Sequence, residues 1–481
     1  MNNFFSKEID LTTGNLFKKL ILFTIPLILT TVLQLLYTSA DLFVVSNFGG
    51  GDNSMGAVGA NGSLINLIVG TFLGLSVGAN VVVANAKGSN DKEKAKKALH
   101  TSLIVSVISG IFVGILGFFL AKYFLTWMNT PSEIIELAAK YLKIYFLGMP
   151  FLLIYNFGSS ILRALGDSKR PLYTLIITGI FNVGLNFLFV VGFKMDVVGV
   201  ALGTILSEMV SAIMVIYFLW HNKKAFVQFD FKALKISGPE LKEILIVGIP
   251  SGLQSMIFSI SNVVIQTQTN SFGEIAVNAN SASSNMEGYL YYILNSFSVA
   301  VVAMVAQNYG AKKKENIKKI LLYSLLSVTV IGIVMGGIFV LIKDPLLGIL
   351  IKDNPDEMKI ASNRYILICL TYFMCGIMDV MSAYFRGIKY SVLPTIITLF
   401  GCTLLRLVFV FTIFKYVEAI HTLEWLYASY PISWLLTDVI YAVATPFVTK
   451  NAFKKIDQSI ELEKRNLEKE NIEVQKLSET N

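Results

Sequence analysis

The strongest constraint on this chain is the recurrence of apolar runs long enough to cross a bilayer. A transmembrane helix needs about 20 mostly apolar residues. Twelve runs reach that length: 17–46, 57–86, 98–121, 134–162, 171–192, 197–220, 240–270, 279–308, 319–342, 359–385, 391–414 and 425–449. Backbone inside lipid must satisfy its own N–H and C=O groups, so the runs predict an all-α integral membrane protein with twelve transmembrane helices. Composition agrees. Charged residues make up 15% of the chain, against about 25% in soluble domains, which argues against an ordinary soluble enzyme or a nucleic-acid binder. Cys369, Cys375 and Cys402 all lie in apolar runs and read as reduced packing residues. His100, His221 and His421 are too scattered for a metal site. No cofactor and no metal are expected.

Orientation follows from the connecting loops. The loops 87–97, 163–170, 221–242, 310–319 and 386–390 together hold 20 Lys/Arg, and the alternate loops hold 6. The positive-inside rule puts the basic set and both termini in the cytoplasm. The expected location is the cell membrane, with multiple passes. The first fifteen residues lack a small-residue cleavage site, so the first run is read as an uncleaved span.

The two halves repeat in a nearly constant register. Ile25-Pro26 recurs as Ile249-Pro250. Lys92-Glu93, Lys96-Lys97 and Leu99 recur as Lys314-Glu315, Lys318-Lys319 and Leu321. Arg163, Ser168 and Pro171 recur as Arg386, Ser391 and Pro394. Each half holds six runs, so the repeat keeps its orientation. Two pseudo-symmetric six-helix bundles follow, 1–220 and 240–450, joined by a cytoplasmic linker at 221–239. A charged cytoplasmic tail, 451–481, is expected to be exposed and partly helical or disordered. Parallel bundles of this kind are a transporter plan with the substrate site between repeats. Pro26 and Pro250 each remove a helical hydrogen bond, giving either a packing kink or a moving hinge.

Ionisable residues at membrane depth are costly and mark function by default. Asp41 lies about 12 Å below the outer end of the first run, at 1.5 Å per residue. Gln34, Tyr37 and Thr38 share its face, at i−7, i−4 and i−3. Asn182 and Asn186 in the fifth run, and Thr204 and Glu208 in the sixth, reach outer to middle depth. These residues predict one polar cluster in the N-terminal bundle, functional or purely structural. Glu208 either serves that cluster, or bonds to Ser211 or faces a neighbouring helix. The C-terminal bundle carries Glu287, Asp379, Arg406 and Asp438. Glu287 and Arg406 lie at similar depth and could pair, with Asp438 as a rival partner. Asp379 and Arg386 are expected to form an interfacial charge cluster.

This ordered set resembles the MATE (multidrug and toxic compound extrusion) transporters. The resemblance rests on Pro26 and Asp41, on Leu162-Arg163-Ala164-Leu165-Gly166-Asp167 followed by Pro171, on Gln307-Asn308-Tyr309-Gly310-Ala311, and on Phe385-Arg386-Gly387 followed by Pro394. It covers roughly residues 15–450. It implies export of organic cations or amphipathic drugs in exchange for H+ or Na+ by alternating access. In the proton-coupled branch, a first-helix aspartate faces an Asn…Asp pair in the fifth helix, a fourth-helix tyrosine and a sixth-helix threonine. The matching positions here are Asp41, Asn182, Asn186, Tyr141 and Thr204, with Asn186 standing where that branch has a carboxylate. Glu208, one turn beyond Thr204, is a candidate to replace that acid. The sodium-coupled branch carries a seventh-helix acid a little over two turns after its proline, where this chain has Phe258-Ser259. The expected partners are small organic substrates and membrane lipid, with no nucleic acid, and the expected state is a monomer. A flippase for lipid-linked saccharide precursors is the alternative reading.

Overall fold

The computed structural model describes residues 8–49, 52–128, 130–222, 225–351 and 354–479. The fourteen helices labelled here are α1 (Leu16–Phe48), α2 (Asp52–Gly88), α3 (Lys92–Trp127), α4 (Ile135–Leu147), α5 (Met149–Ala164), α6 (Lys169–Gly192), α7 (Asp196–His221), α8 (Gly238–Asn270), α9 (Glu274–Gly310), α10 (Lys314–Leu341), α11 (Lys343–Leu347), α12 (Pro355–Gly387), α13 (Val392–Phe414) and α14 (Leu423–Glu479). Among the described residues eleven are long and apolar enough to cross a membrane, and α4 with α5 makes a twelfth span. That fourth span is bent by 50°. The bend falls at Gly148-Met149-Pro150, where Pro150 in the first turn of α5 cannot donate back into α4. Pro26 and Pro250, by contrast, lie inside unbroken helices.

Helices α1–α7 form one bundle and α8–α14 the other. Glycines set how closely the bundles cross. A Cβ on Gly74 would sit 2.0 Å from the Gly252 nitrogen, and one on Gly78 2.2 Å from the Ile244 carbonyl oxygen. Small residues of this kind let helix backbones touch, so α2 and α8 cross there with no side chain between them. Contacts between the bundles gather towards the face that carries the lysine-rich loops. There, a Cβ on Gly88 would meet the Gln307 carbonyl oxygen at 1.9 Å, and one on Gly310 the Asn85 oxygen at 2.0 Å. In the opposite half, Gly59 and Gly62 of α2 and Gly288 of α9 face open space.

The segment before α1 locks the lysine-rich face. Leu11 is fully buried. Its N–H donates to Gln307 Oε1 at 3.3 Å, and Asn308 Nδ2 donates to its carbonyl at 2.9 Å. Gln307 Nε2 reaches the Ala164 carbonyl at 2.6 Å, and Lys87 pairs with Glu8 at 2.7 Å. The Gln-Asn-Tyr-Gly-Ala motif is therefore a polar tie between bundles. Burial alone would raise the carboxyl of Asp10 in this segment. Hydrogen bonds from Thr13 and Thr12 and the nearby Lys19 charge bring it down to about 2 instead.

The tail is helical and mostly exposed among its described residues, and it adds a docking contact. It continues α14 as helix to Glu479. Its first turns dock on the lysine-rich face, with Ile456 buried, Lys314 paired with Asp457 and Lys312 with Glu463 at 2.6 Å. The side chains of Leu467, Val474 and Leu477, part of the apolar stripe read in the tail, lie outside the described residues.

Candidate functional site

The polar residues of the N-terminal bundle meet in its half remote from the lysine-rich face. Asn186 Nδ2 donates to Asp41 Oδ1 at 2.5 Å and lies 3.4 Å from Asn182 Oδ1. Thr204 of α7 stands beside the same carboxylate, and its hydroxyl donates to the Val200 carbonyl at 3.0 Å. Asn186 is fully buried, and its Oδ1 has no donor among the described residues. Local structure explains its position. At Asn186 helix α6 passes from α to a π turn over Phe187–Gly192, a rare widening that often marks functional sites. Across from it, a Cβ on Gly203 would come within 2.3 Å of Asn186 Oδ1. Only the missing side chain at Gly203 leaves room for the amide. The same widening recurs at the repeat-equivalent place in α13, Val410–Phe414.

The remaining expected members are less uniform. Tyr141 is buried and stacks on Tyr145 at 6.1 Å. Tyr37 lies flat on Gly179, where a Cβ would strike its ring at 1.7 Å, and its hydroxyl donates to the Leu175 carbonyl at 2.9 Å. It therefore braces α1 against α6. Gln34 and Thr38 are exposed, and the Thr38 hydroxyl donates back to the Gln34 carbonyl at 3.2 Å. Glu208 lines a void of about 10 Å³ with Tyr145, Gly148, Leu152, Thr204 and Ile205. Its Oε2 is buried without a partner among the described residues. Ser211 donates instead to Thr178 Oγ1 at 3.0 Å, so the suggested Glu208–Ser211 bond is not formed.

In the C-terminal bundle the structure selects partners that the sequence left open. Glu287 of α9 pairs not with Arg406 but with Arg364 of α12, at 2.5 Å, and accepts from Ser283 at 3.3 Å. Helix α12 packs along α9, which brings Arg364 directly opposite Glu287. Arg406 lies on α13 and turns to α14 and α8. Its Nε donates to Ser433 Oγ at 2.8 Å, its Nη1 to Asn262 Oδ1 at 3.3 Å, and its guanidinium lies 4.3 Å from the Tyr430 ring centre. Asp379 lies near enough to Arg386 to interact electrostatically, as the expected charge cluster requires, but makes no ion pair with it among the described residues. It accepts from Asn295 Nδ2 at 2.8 Å, while Arg386 donates to Gln254 Oε1 at 2.8 Å. Asp438 Oδ1 is buried with no partner among the described residues. Arg364, Asn295 and Gln254 are the partners that the sequence reading does not single out. Arg364 has one visible signal: in the register that carries Arg163 onto Arg386, it is the counterpart of Tyr141.

Two parallel six-helix bundles meeting at a glycine crossing, with acids held at membrane depth, define a polytopic membrane transporter. Sequence comparison then gives the particular kind. The MatE family profile matches residues 26–188 and 250–412, once per bundle, and the chain belongs to that family, whose members are transporters and not enzymes. The probable multidrug resistance protein YoeA of Bacillus subtilis (strain 168) is 25% identical over 395 residues, 80% of this chain and 84% of that one. The probable multidrug resistance protein YpnP of the same organism is 30% identical over 314 residues, 65% and 69% of the two chains. A solved MATE structure in the bent conformation superposes with a TM-score of 0.86 at 22% identity, covering 94% of this chain and 99% of that one. At that identity the likeness speaks for the fold.

Proposed function

We propose that the protein is a secondary antiporter that exports small organic cations or amphipathic drugs in exchange for H+ or Na+. The names of the relatives support the substrate class. One observation carries the coupling role. Asp41 is an acid at membrane depth, hydrogen-bonded by an amide, with no lysine or arginine paired to it among the described residues. A carboxylate in a poorly hydrated site is expensive unless something cancels its charge. A proton, a sodium ion or a cationic substrate each does so, and only one at a time. That exclusivity couples the fluxes, because a ligand shifts a conformational equilibrium only through unequal affinity for the two states. Asn182, Asn186 and Thr204 supply oxygen atoms and an amide donor that suit either ion.

The lysine-rich face is the cytoplasmic one in this reading, from the loop charge bias. The tie of Leu11, Gln307 and Asn308 then closes the inner side, and alternation requires it to part. The flippase alternative needs arginines free for a pyrophosphate. Arg364 is committed to Glu287, and Arg406 to Ser433, Asn262 and Tyr430. The test is export of an organic cation by vesicles under separately imposed proton and sodium gradients. Export driven by one gradient and lost in Asp41→Asn supports the proposal. Export by Asp41→Asn at the normal rate removes it.

A further inference from the structure

On the lysine-rich face the two halves of the repeat treat one crevice differently. In the N-terminal half, the crevice beside α3 and the end of α7 is filled by the linker between the bundles. Phe229 stacks on His100 at 5.3 Å, and the Asp230 carboxylate lies 3.9 Å from Lys96. The Asp230 N–H donates to His100 Nε2 at 3.1 Å, and the Ser237 N–H to Thr101 Oγ1 at 3.0 Å. An anion and an apolar body thus cover a lysine and an apolar wall.

The equivalent crevice in the C-terminal half lies between α10 and α14. Lys96, Leu99, His100 and Leu103 correspond there to Lys318, Leu321, Leu322 and Leu325, in the register of the repeat. No linker crosses it, because α14 runs on as helix. What remains is a groove of about 860 Å³, walled by the three leucines and Phe453, with Lys318, Lys450 and Lys454 at its rim. Tyr384 and Thr449, 2.8 Å apart, bond within its lining. Lys450 and Lys454 are exposed and have no carboxylate partner among the described residues. Lys318 lies 5.7 Å from the Phe453 ring centre, and its one carboxylate partner among the described residues is Glu315, at 2.9 Å, in an exposed pair. The one acid in the lining, Asp457, is held by Lys314.

We propose that this groove binds an anionic glycerophospholipid. The phosphate takes the place that Asp230 holds in the other half, among Lys318, Lys450 and Lys454. The glycerol and upper acyl chains take the place of Phe229, along Leu321, Leu322 and Leu325. The lysine-bearing ends of α10 and α14 put the groove at the membrane boundary, where the apolar wall continues into lipid. Basic pockets between spans at this level bind acidic headgroups, and the volume is that of an ordinary ligand pocket, about 300–1,000 Å³.

The full chain, purified in detergent, is incubated with phosphatidylglycerol or phosphatidylcholine, and retained lipid is counted by native mass spectrometry. Wild type should retain phosphatidylglycerol preferentially. The Lys450→Gln/Lys454→Gln variant should lose that preference, a drop on the order of tenfold or more for two lysines near the headgroup. The Leu322→Trp/Leu325→Trp variant fills the wall without changing charge and should also lose it. Lys232→Gln/Lys235→Gln, on the linker, should keep it. Unchanged melting temperatures establish that each variant is folded. The proposal is overturned if both groove variants retain the preference. It is also overturned if inorganic phosphate displaces the lipid at equal concentration, which would mark a site for free anions.

Discussion

In the N-terminal bundle the carboxylate of Asp41 meets the amide of Asn186 and the side chain of Thr204, with no cation paired to it among the described residues. In the C-terminal bundle Glu287 meets the guanidinium of Arg364, which lies 5.0 Å from the ring centre of Tyr427 and 5.3 Å from that of Tyr430. Tyr430 in turn faces Arg406, so one aromatic box holds both arginines. The repeat thus treats these two acids in two ways. Asp41 has only neutral partners among the described residues, whereas Glu287 is neutralised by an arginine that also lies on ring faces. Asp379, held by the Asn295 amide, shows that the C-terminal bundle also keeps an acid of the Asp41 kind. The first arrangement suits exchange of a bound cation, and the second suits a fixed contact between α9 and α12.

The difference is tested first where the effect is largest. Asp41→Asn should reduce gradient-driven export to the level of empty vesicles, while melting in detergent stays within a few degrees of wild type. An amide in place of the acid keeps the size and one hydrogen bond, so folding has little to lose. The mirror experiment in the other bundle should invert that pattern. Arg364→Leu strands Glu287 in a buried site, and breaking a buried pair from one side costs about 3–5 kcal/mol. The expected result is a marked fall in melting temperature and in yield. Adding Glu287→Gln to it should recover most of the loss, because both charges are then gone. A coupling role for the Glu287–Arg364 pair would show as a folded, inactive double variant, and that outcome would break the contrast.

A smaller effect is expected at Gly203. Its Cβ would press on Asn186 Oδ1 at 2.3 Å, so Gly203→Ala must shift the amide off Asp41. Overpacking of this kind costs about 1–3 kcal/mol, and export should fall while insertion persists. Gly184→Ala, on the same helix as Asn186, meets nothing within 4 Å. It should leave export unchanged and stabilise slightly, by about 0.5–1 kcal/mol. Equal behaviour of the two variants would show that the placement of Asn186 is immaterial.

The span count, the repeat and the gathering of Asp41, Asn182, Asn186 and Thr204 were all legible in the sequence. The reason is physical: hydropathy fixes spans, and within one helix a residue's depth and face follow from counting. What counting along single helices does not fix is which helix lies opposite. Glu287 and Arg406 do lie at similar depth, yet α12 and not α13 runs beside α9, and Arg364 takes the acid. The bend at Gly148 and the π turn after Asn186 were also hidden. Both depend on how a helix is packed as well as on its residues. Pro150 gives a hint of the first, and nothing in Phe187–Gly192 announces the second.

Glu208 bears on the contrast most finely, because it is a second unpaired acid in the same half. Its Oε2 faces no donor among the described residues, and the void beside it, about 10 Å³, is at the lower limit for a single water molecule, roughly 10–15 Å³. An organic substrate does not fit there, and neither does a hydrated sodium ion. A proton does. Thr204 lies in the same lining and also beside Asp41, so one residue neighbours both acids. If both acids of this half exchange protons, Glu208→Gln should weaken proton-driven export by less than about tenfold, equivalent to about 1.4 kcal/mol, and alter its dependence on pH. Asp41→Asn, by contrast, should abolish export. Glutamine matches glutamate in size, so packing against Tyr145 and Leu152 is retained and a change in the pH profile reports on the proton alone. Identical rates and an identical pH midpoint in Glu208→Gln would leave Asp41 as the single exchanging acid of the N-terminal bundle, and Glu208 as a buried polar group with no part in coupling.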